Sequence, residues 1–310
     1  MKKIETLTVV ITNHNRPKII LPVIESIVNQ PLSGIDMDIL IIDDASTSPI
    51  NPNDLNKYGD KVKLHRLNEN AGVHAARNIG MAMAKGEFIA VVDDDDTFIP
   101  NTLQKALDLI TSLDDYSKYP AFQFARTNGS ISAFYALADE GYYYKKLLKG
   151  DFTLIFNKSV FFENKFTYPE YEELKKTGCE ILLFAEMAYK FSIPTWNYNI
   201  VKLGNDDTTI NRLTNPNNWL LKAKQFANLQ ELEMKYMRSR GFDKKYPNYY
   251  NFKAKGLYTY LLLDNRVKEA REVLKNKVEC GFLTKATLFL LSYLPISIVN
   301  ILLKLYRKRF

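Results

Sequence analysis

Short, uninterrupted apolar runs alternate with longer stretches in which apolar residues recur every three or four positions, from the start of the chain to Leu113. The runs LTVVIT (7–12), DILIIDD (38–44) and EFIAVVD (87–93) carry no apolar–polar alternation. That pattern predicts strands buried on both faces, since a strand with one wet face would alternate. KVKLHRL (61–67) reads as a further strand. Between the runs, Pro17 opens a predicted helix with Ile20, Val23, Ile24, Ile27 and Val28 on one face. A second helix is expected from Gly72 to Ala84, stopped by Gly86, and a third from Pro100 through Leu113. Strand and helix in alternation predict an α/β fold with a doubly wound, mostly parallel sheet.

Sheets of this kind bind ligands outside the carboxyl ends of their strands. Three such ends are polar here: Thr12-Asn13-His14-Asn15, Asp43-Asp44, and Asp93 to Asp96. They are expected to meet in one crevice. Beyond Tyr119 the pattern loosens into mixed strand and loop, Cys179 to Phe191 reads as a helix, and from about Asn215 long helices rich in Lys, Leu and Tyr follow. The expected organisation is a catalytic domain over 1–215, a helical extension over 216–280 and a basic tail over 281–310.

Composition refines this picture. The chain has 310 residues, 46% hydrophobic and 25% charged, enough for one large domain with an appendage. Cys179 and Cys280 are the two cysteines, too few for a disulfide framework or a structural zinc site. The opening MKKIETLTVV is too short and interrupted for a signal peptide and reads as the first strand, so a cytoplasmic location is expected. Net charge is +7, but residues 281–310 hold Lys285, Lys304, Arg307, Lys308 and Arg309 and no acid. Ala286 to Leu303 is uncharged, with Pro295 in its middle and Ser292, Ser297 and Asn300 interrupting it. Two short amphipathic helices are expected there, lying on the anionic inner face of the cell membrane. A terminal helix packed on the protein's own core is one alternative and a transmembrane anchor another. No nucleic-acid partner is expected.

Four consecutive aspartates behind a buried strand repel one another, so positive charge must lie close by. A divalent cation would supply it: Asp93 and Asp95, spaced D-x-D at a strand end, can face one Mg²⁺ or Mn²⁺, which would in turn hold a diphosphate. Asp43-Asp44 reads as a second metal pair, a turn or a site for a base N–H. Arg77 and Asn78 read as phosphate or base contacts, or as a solvated helix face. The first strand leads into TNHNRP rather than a glycine loop, and no G-x-G-x-x-G or P-loop occurs.

In order, VVITNHNRP (9–17), ILIIDDAS (39–46), NAGVHAARNIGMAMAKGEFIAVVDDDDTFIP (70–100) and GCEILLFAEMA (178–188) resemble the family 2 glycosyltransferases of the GT-A fold. The resemblance implies inverting, metal-dependent transfer of one sugar from a nucleotide diphosphate donor, a UDP-sugar, to a glycan or lipid-linked saccharide in surface polysaccharide synthesis. It implies that Thr12 and Asn15 line the nucleotide pocket and that Asp44 reads the base. Arg77, Asn78, Asp93 and Asp94 would hold the nucleotide-sugar, and Asp95 and Asp96 the Mn²⁺ or Mg²⁺, with four aspartates leaving that register open. The family's usual Glu-Asp pair is Cys179-Glu180 here, which gives Glu180 the place of the catalytic base, with Glu186 as competitor. The Q-x-x-R-W signature of processive polymerases is absent; NNWLLK (217–222) has the Trp without it.

Two alternatives belong to other classes. VVDDDDT (91–97) also fits the D-x-D-x-T pattern of haloacid-dehalogenase-like phosphatases, with GNDD (204–207) as the distant acidic motif. A non-catalytic nucleotide-sugar-binding protein would use the same crevice without turnover.

Overall fold

A computed structural model describes residues 3–171, 179–204 and 220–307. Contacts divide the chain into two compact units, one of Met1–Glu170 with Glu180–Asp206, the other of Tyr171–Cys179 with Asp207–Phe310.

The first unit is built on one sheet. Its elements in chain order are β1 (Thr6–Asn13), α1 (Ile20–Val28), β2 (Asp36–Asp43), β3 (Val62–Arg66), α2 (Val73–Met83), β4 (Phe88–Asp93), β5 (Thr97–Phe98) and α3 (Leu103–Thr111). They continue as β6 (Ala121–Arg126), β7 (Tyr135–Ala138), α4 (Glu140–Tyr144), β8 (Phe152–Asn157), α5 (Lys158–Glu163), α6 (Glu180–Phe191) and β9 (Ile193–Lys202). Strand order is β3-β2-β1-β4-β8-β6-β9-β5, with β7 on β9. β1, β2, β3 and β4 pair in parallel. β8 runs antiparallel to β4 and β6, while β6 and β9 are parallel.

The uninterrupted apolar runs are explained by layers on both faces. On one face Leu7, Val9 and Ile11 of β1, Ile39 and Ile41 of β2, and Ala90 and Val92 of β4 pack with α1 and α3. On the other, Val10, Ile42, Ile89 and Val91 pack with α2 and α6. Alternate side chains therefore enter different cores and both must be apolar. Gly80 lets α2 lie close on the sheet, since a Cβ there would come within 2.5 Å of Val10 Cγ1 and 3.0 Å of Ile42 Cγ1.

The expected strands and helices over 6–111 form, with the helices trimmed. α1 starts at Ile20, three residues after Pro17, and α3 at Leu103, three after Pro100. β6 and β9 are additions the pattern did not announce. The chain leaves β1 toward β2 and β3 and returns to β4 on β1's other side. This makes a topological switch point at the β1 and β4 carboxyl ends. Register pairs Thr12 with both Ile42 and Asp93, and Asn13 with Asp43, so the three polar strand ends stand level.

The second unit contains α7 (Ala223–Ser239), α8 (Phe242–Lys245), α9 (Pro247–Leu263), α10 (Val267–Asn276), α11 (Phe282–Leu291) and α12 (Ile296–Arg307). Its core gathers Ala227, Met234, Leu257, Tyr258, Leu261 and Leu274 among others. Among the described residues no helix is long and apolar enough to cross a membrane. Asp206, Asp207 and Trp219, which figured in the sequence reading, lie outside the described residues, as do Lys308 and Arg309.

Candidate functional site

The four aspartates are met by three arginines. Arg16, just past β1, donates to Asp94 Oδ1 at 2.5 Å and to Asp95 Oδ2 at 2.8 Å. Arg77, on α2, donates to Asp93 Oδ1 at 2.6 Å and to Glu180 Oε1 at 2.7 Å. Arg126, at the end of β6, donates to Asp96 and reaches Asp93 Oδ2 at 3.3 Å. Asn13 Nδ2 also donates to Asp94, at 2.8 Å, and the Gly204 N–H to Asp96, at 3.0 Å. The positive charge demanded by the sequence is therefore present in side chains. Arg16 and Arg126 escaped the sequence reading, as did His74. Arg16 lies inside the NHNRP stretch. His74 sits three residues before Arg77, the spacing that places two side chains on one helix face, and this was the available signal. Arg126 follows FQFA on a strand the pattern did not show.

Compensation is uneven. Burial works to raise the Asp93 carboxyl, but Arg77 and Arg126 outweigh it and hold the group below the usual range. Burial pushes Asp94 up to about 7, with Arg16 opposing and Asp95 adding to the rise. Burial likewise pushes Asp96 up to about 6 against Arg126. Burial would raise Glu180 too, yet the hydrogen bond from His74 and the charge of Arg77 hold it well below an ordinary carboxylate. His74 is itself oriented by the Pro169 carbonyl, 2.7 Å from its Nδ1, and its Nε2 lies 3.3 Å from Glu180.

Arg77, Asp93, Arg126 and Glu180 open onto one cavity of about 400 Å³, walled by Tyr143, Leu148, Tyr168 and Phe184. Tyr168 packs its ring 5.3 Å from the Arg77 guanidinium. Glu186 is elsewhere on α6 and pairs with Lys190 at 3.3 Å. Of the two glutamates, Glu180 is the one that lines the cavity.

The second group surrounds the β1 and β2 ends. Asp44 is 4% exposed, and its two oxygens accept the Ala71 and Gly72 N–H groups at 2.7 and 2.9 Å. Gly72 can close this loop because its φ is +89°, a region open to glycine. His14 Nδ1 lies 2.7 Å from the Asp44 carbonyl. Asn15, also at positive φ, accepts from Thr47 and from the Ser48 N–H at 3.0 Å each. Thr12 is 9% exposed, between Ile42 and Asp93 in register. Asn78, on α2, bonds the segment that follows α5. Its amide donates to Tyr168 O and Glu170 Oε1 and accepts the Tyr168 N–H, so it pins the 168–170 segment.

Among the described residues no three His, Cys, Asp or Glu side chains converge as a metal cage. Mg²⁺ and Mn²⁺ need only one or two carboxylates when a substrate diphosphate fills other positions. The Asp95 and Asp96 carboxylates would supply hard oxygens of that kind, and Asn13 Oδ1, on the side chain that bonds Asp94, is buried without a hydrogen-bond partner.

Comparison with known proteins bears on the family and the fold. The model of Glycosyl transferase family 2 matches residues 8–162. A Campylobacter jejuni GalNAc(5)-diNAcBac-PP-undecaprenol beta-1,3-glucosyltransferase is 25% identical over 80% of this chain and 81% of its own length. The Rhizobium meliloti succinoglycan biosynthesis protein ExoO is 31% identical over 34% of this chain. The chain spans 30% of ExoO's length, and 34% and 19% of the Haemophilus influenzae and Rickettsia bellii glycosyltransferases that it also matches. The crystal structure of S. aureus TarS 1-349 in complex with UDP-GlcNAc superposes with a TM-score of 0.56 at 17% identity, over 86% of this chain and 88% of that one. That likeness establishes the fold as GT-A, and the D-x-D-x-T stretch of the phosphatase alternative falls within the segment matched by the transferase family. The chain belongs to the family 2 glycosyltransferases.

Proposed function

We propose that the protein is an inverting transferase that moves one sugar from a UDP-sugar to a lipid-linked saccharide during surface polysaccharide synthesis. One observation carries the reading: Glu180 and the strand-end Asp93 share a cavity and are joined through one arginine, Arg77. A base and a donor-binding acid are thereby held a single guanidinium apart.

In this reading the nucleotide lies along the β1 and β2 ends, between Thr12, Asn15 and Asp44. Each Asp44 oxygen keeps a second acceptor position beyond the backbone N–H it already takes, which a uracil N–H can use. Arg77 orients Asp93 toward the ribose, and Asn78 holds the segment that carries Tyr168. Asp94, tied to Asn13 and Arg16, sets the loop against the donor. Asp95 and Asp96 would hold Mn²⁺ or Mg²⁺, which when bound supplies positive charge to the departing diphosphate. Glu180 accepts the acceptor hydroxyl's proton as that oxygen bonds to the anomeric carbon and the carbon–oxygen bond to the diphosphate breaks. Attack from the face opposite the leaving group inverts the anomeric centre. Arg77 and His74 keep Glu180 ionised and fixed in direction.

The names of two relatives support the donor and acceptor classes. One is the C. jejuni enzyme above; the other is an Escherichia coli UDP-Glc:alpha-D-GlcNAc-diphosphoundecaprenol beta-1,3-glucosyltransferase, 25% identical over 53% of this chain. A lipid-linked acceptor would place the protein at the cytoplasmic face of the membrane, attached peripherally through residues 281–310. Isothermal calorimetry with a panel of nucleotide diphosphate sugars and Mn²⁺ tests the reading. UDP-sugars should bind and transfer to a polyprenyl-diphosphate saccharide. Cleavage of aryl phosphates, or donor binding without transfer to any saccharide, would overturn it.

A further inference from the structure

In the helical unit, α11 packs by one side only. Tyr258 donates to the Leu288 carbonyl, Arg271 Nε donates to Ser292 Oγ at 2.9 Å, and the Arg271 guanidinium lies 4.1 Å from the Tyr293 ring centre. The opposite side is apolar and open: Phe282, Leu283 and Leu290 are 85%, 80% and 65% exposed. On α12, Ile298 and Ile301 are exposed as well. Large exposed apolar side chains clustered on one short helix mark a contact surface.

The neighbouring surface is cationic. Arg238 of α7, Lys275 of α10, Lys277 just past α10, and Lys285 of α11 line a recess of about 620 Å³, with Glu279 as its one acid. The recess is held in shape: Asn251 donates to the Glu279 carbonyl at 2.6 Å and accepts its N–H at 2.9 Å, and Lys285 Nζ reaches the Lys275 carbonyl at 3.2 Å. From Gly281 to the end of the sequence there is no acid.

We propose that α11, α12 and this recess form a docking surface for an anionic phospholipid bilayer. The two helices lie in the interfacial plane, and a lipid phosphate enters the recess beside Lys277 and Lys285. Bulky apolar side chains that open directly beside clustered cations match the boundary between acyl chains and phosphates. Neither helix has the length to cross the bilayer instead. The proposal rests on the peripheral attachment proposed above and is independent of the sugar-transfer chemistry.

Co-sedimentation of the full-length protein with phosphatidylcholine vesicles, with and without phosphatidylglycerol, tests it. The parent should partition strongly onto the anionic vesicles only. Lys277→Gln with Lys285→Gln should weaken that partition about 25-fold, at about fivefold per cation. Phe282→Ser with Leu283→Ser should abolish it, while both variants keep the parent's UDP affinity and melting temperature. Equal partition of parent and variants onto anionic vesicles would overturn this surface and leave peripheral attachment standing. No partition of the parent onto any vesicle would overturn both. Two further results would overturn the lipid assignment. One is competition by inorganic phosphate, which would make the recess a small-anion site. The other is a dimer in sedimentation velocity that the Phe282→Ser, Leu283→Ser variant dissociates.

Discussion

Replacing Glu180 with Gln leaves the side chain's shape intact and removes its charge and its basicity. Arg77 keeps its 2.6 Å bond to Asp93 and can still donate to the glutamine carbonyl, so the cavity wall should hold. The ion pair with Arg77 becomes a bond from a charged guanidinium to a neutral carbonyl, a loss of at most about 1.5–3 kcal/mol. Glu180's side chain is 31% exposed, so solvent screening reduces this to about 1 kcal/mol of stability. The effect on turnover should be much larger: loss of a general base costs roughly 10²–10⁴ in rate, or about 2.7–5.5 kcal/mol of barrier. The assay is release of UDP from a UDP-sugar in the presence of acceptor, beside calorimetric donor affinity and thermal melting. Donor affinity should stay within about twofold of the parent, since a base acts on the acceptor side. The carboxyl is held well below its usual range, and a general base must be ionised to act. The parent's kcat/KM should therefore show no acid limb from this group near neutrality. A variant that turns over within threefold of the parent would refute the role, and the same loss in Glu186→Gln instead would move it to that residue.

Three other substitutions separate binding from framework. Asp95→Ala should abolish transfer and weaken Mn²⁺-dependent UDP-sugar binding while UDP binding without metal changes little; unchanged transfer would reject the metal assignment. Asp44→Asn should cost about 1–3 kcal/mol in urea unfolding, because its amide nitrogen cannot accept one of the two loop N–H groups and leaves it unpaired. It should also weaken UDP binding, and equal UDP affinity in variant and parent would limit Asp44 to holding the loop. Gly80→Ala gains about 1 kcal/mol of helix propensity but forces Val10 aside, an overpacking cost of about 1–3 kcal/mol. A net loss of about 1 kcal/mol in urea midpoint analysis is expected, and a stabilised variant would contradict the tight α2–sheet contact.

The N-terminal half of the sheet was legible because its strands are covered on both faces. Val9, Val10, Ile11 and Ile39 to Ile42 had no wet side to record, and the absence of alternation announced them. β6 was not legible because AFQFAR mixes core phenylalanines with Gln123 and Arg126, which face the cavity. Those polar residues look like a broken strand until the cavity is known. The same cause hid the answer to the charge problem. The aspartates were conspicuous in the sequence, but Arg16, Arg77 and Arg126 come from three separate elements and meet the aspartates only once the sheet is assembled. Glu180 and Glu186 differ in place only once the fold is assembled: one lines the cavity and the other pairs along the helix with Lys190.

The most direct test of the account is the anomeric configuration of the product. A UDP-sugar with an α-linked donor, incubated with the parent protein and a polyprenyl-diphosphate saccharide, should give a product whose new linkage is β in its proton NMR coupling. Glu180→Gln should form this product roughly 10²–10⁴-fold more slowly. A product that keeps the α configuration would contradict single-displacement transfer with Glu180 as the base.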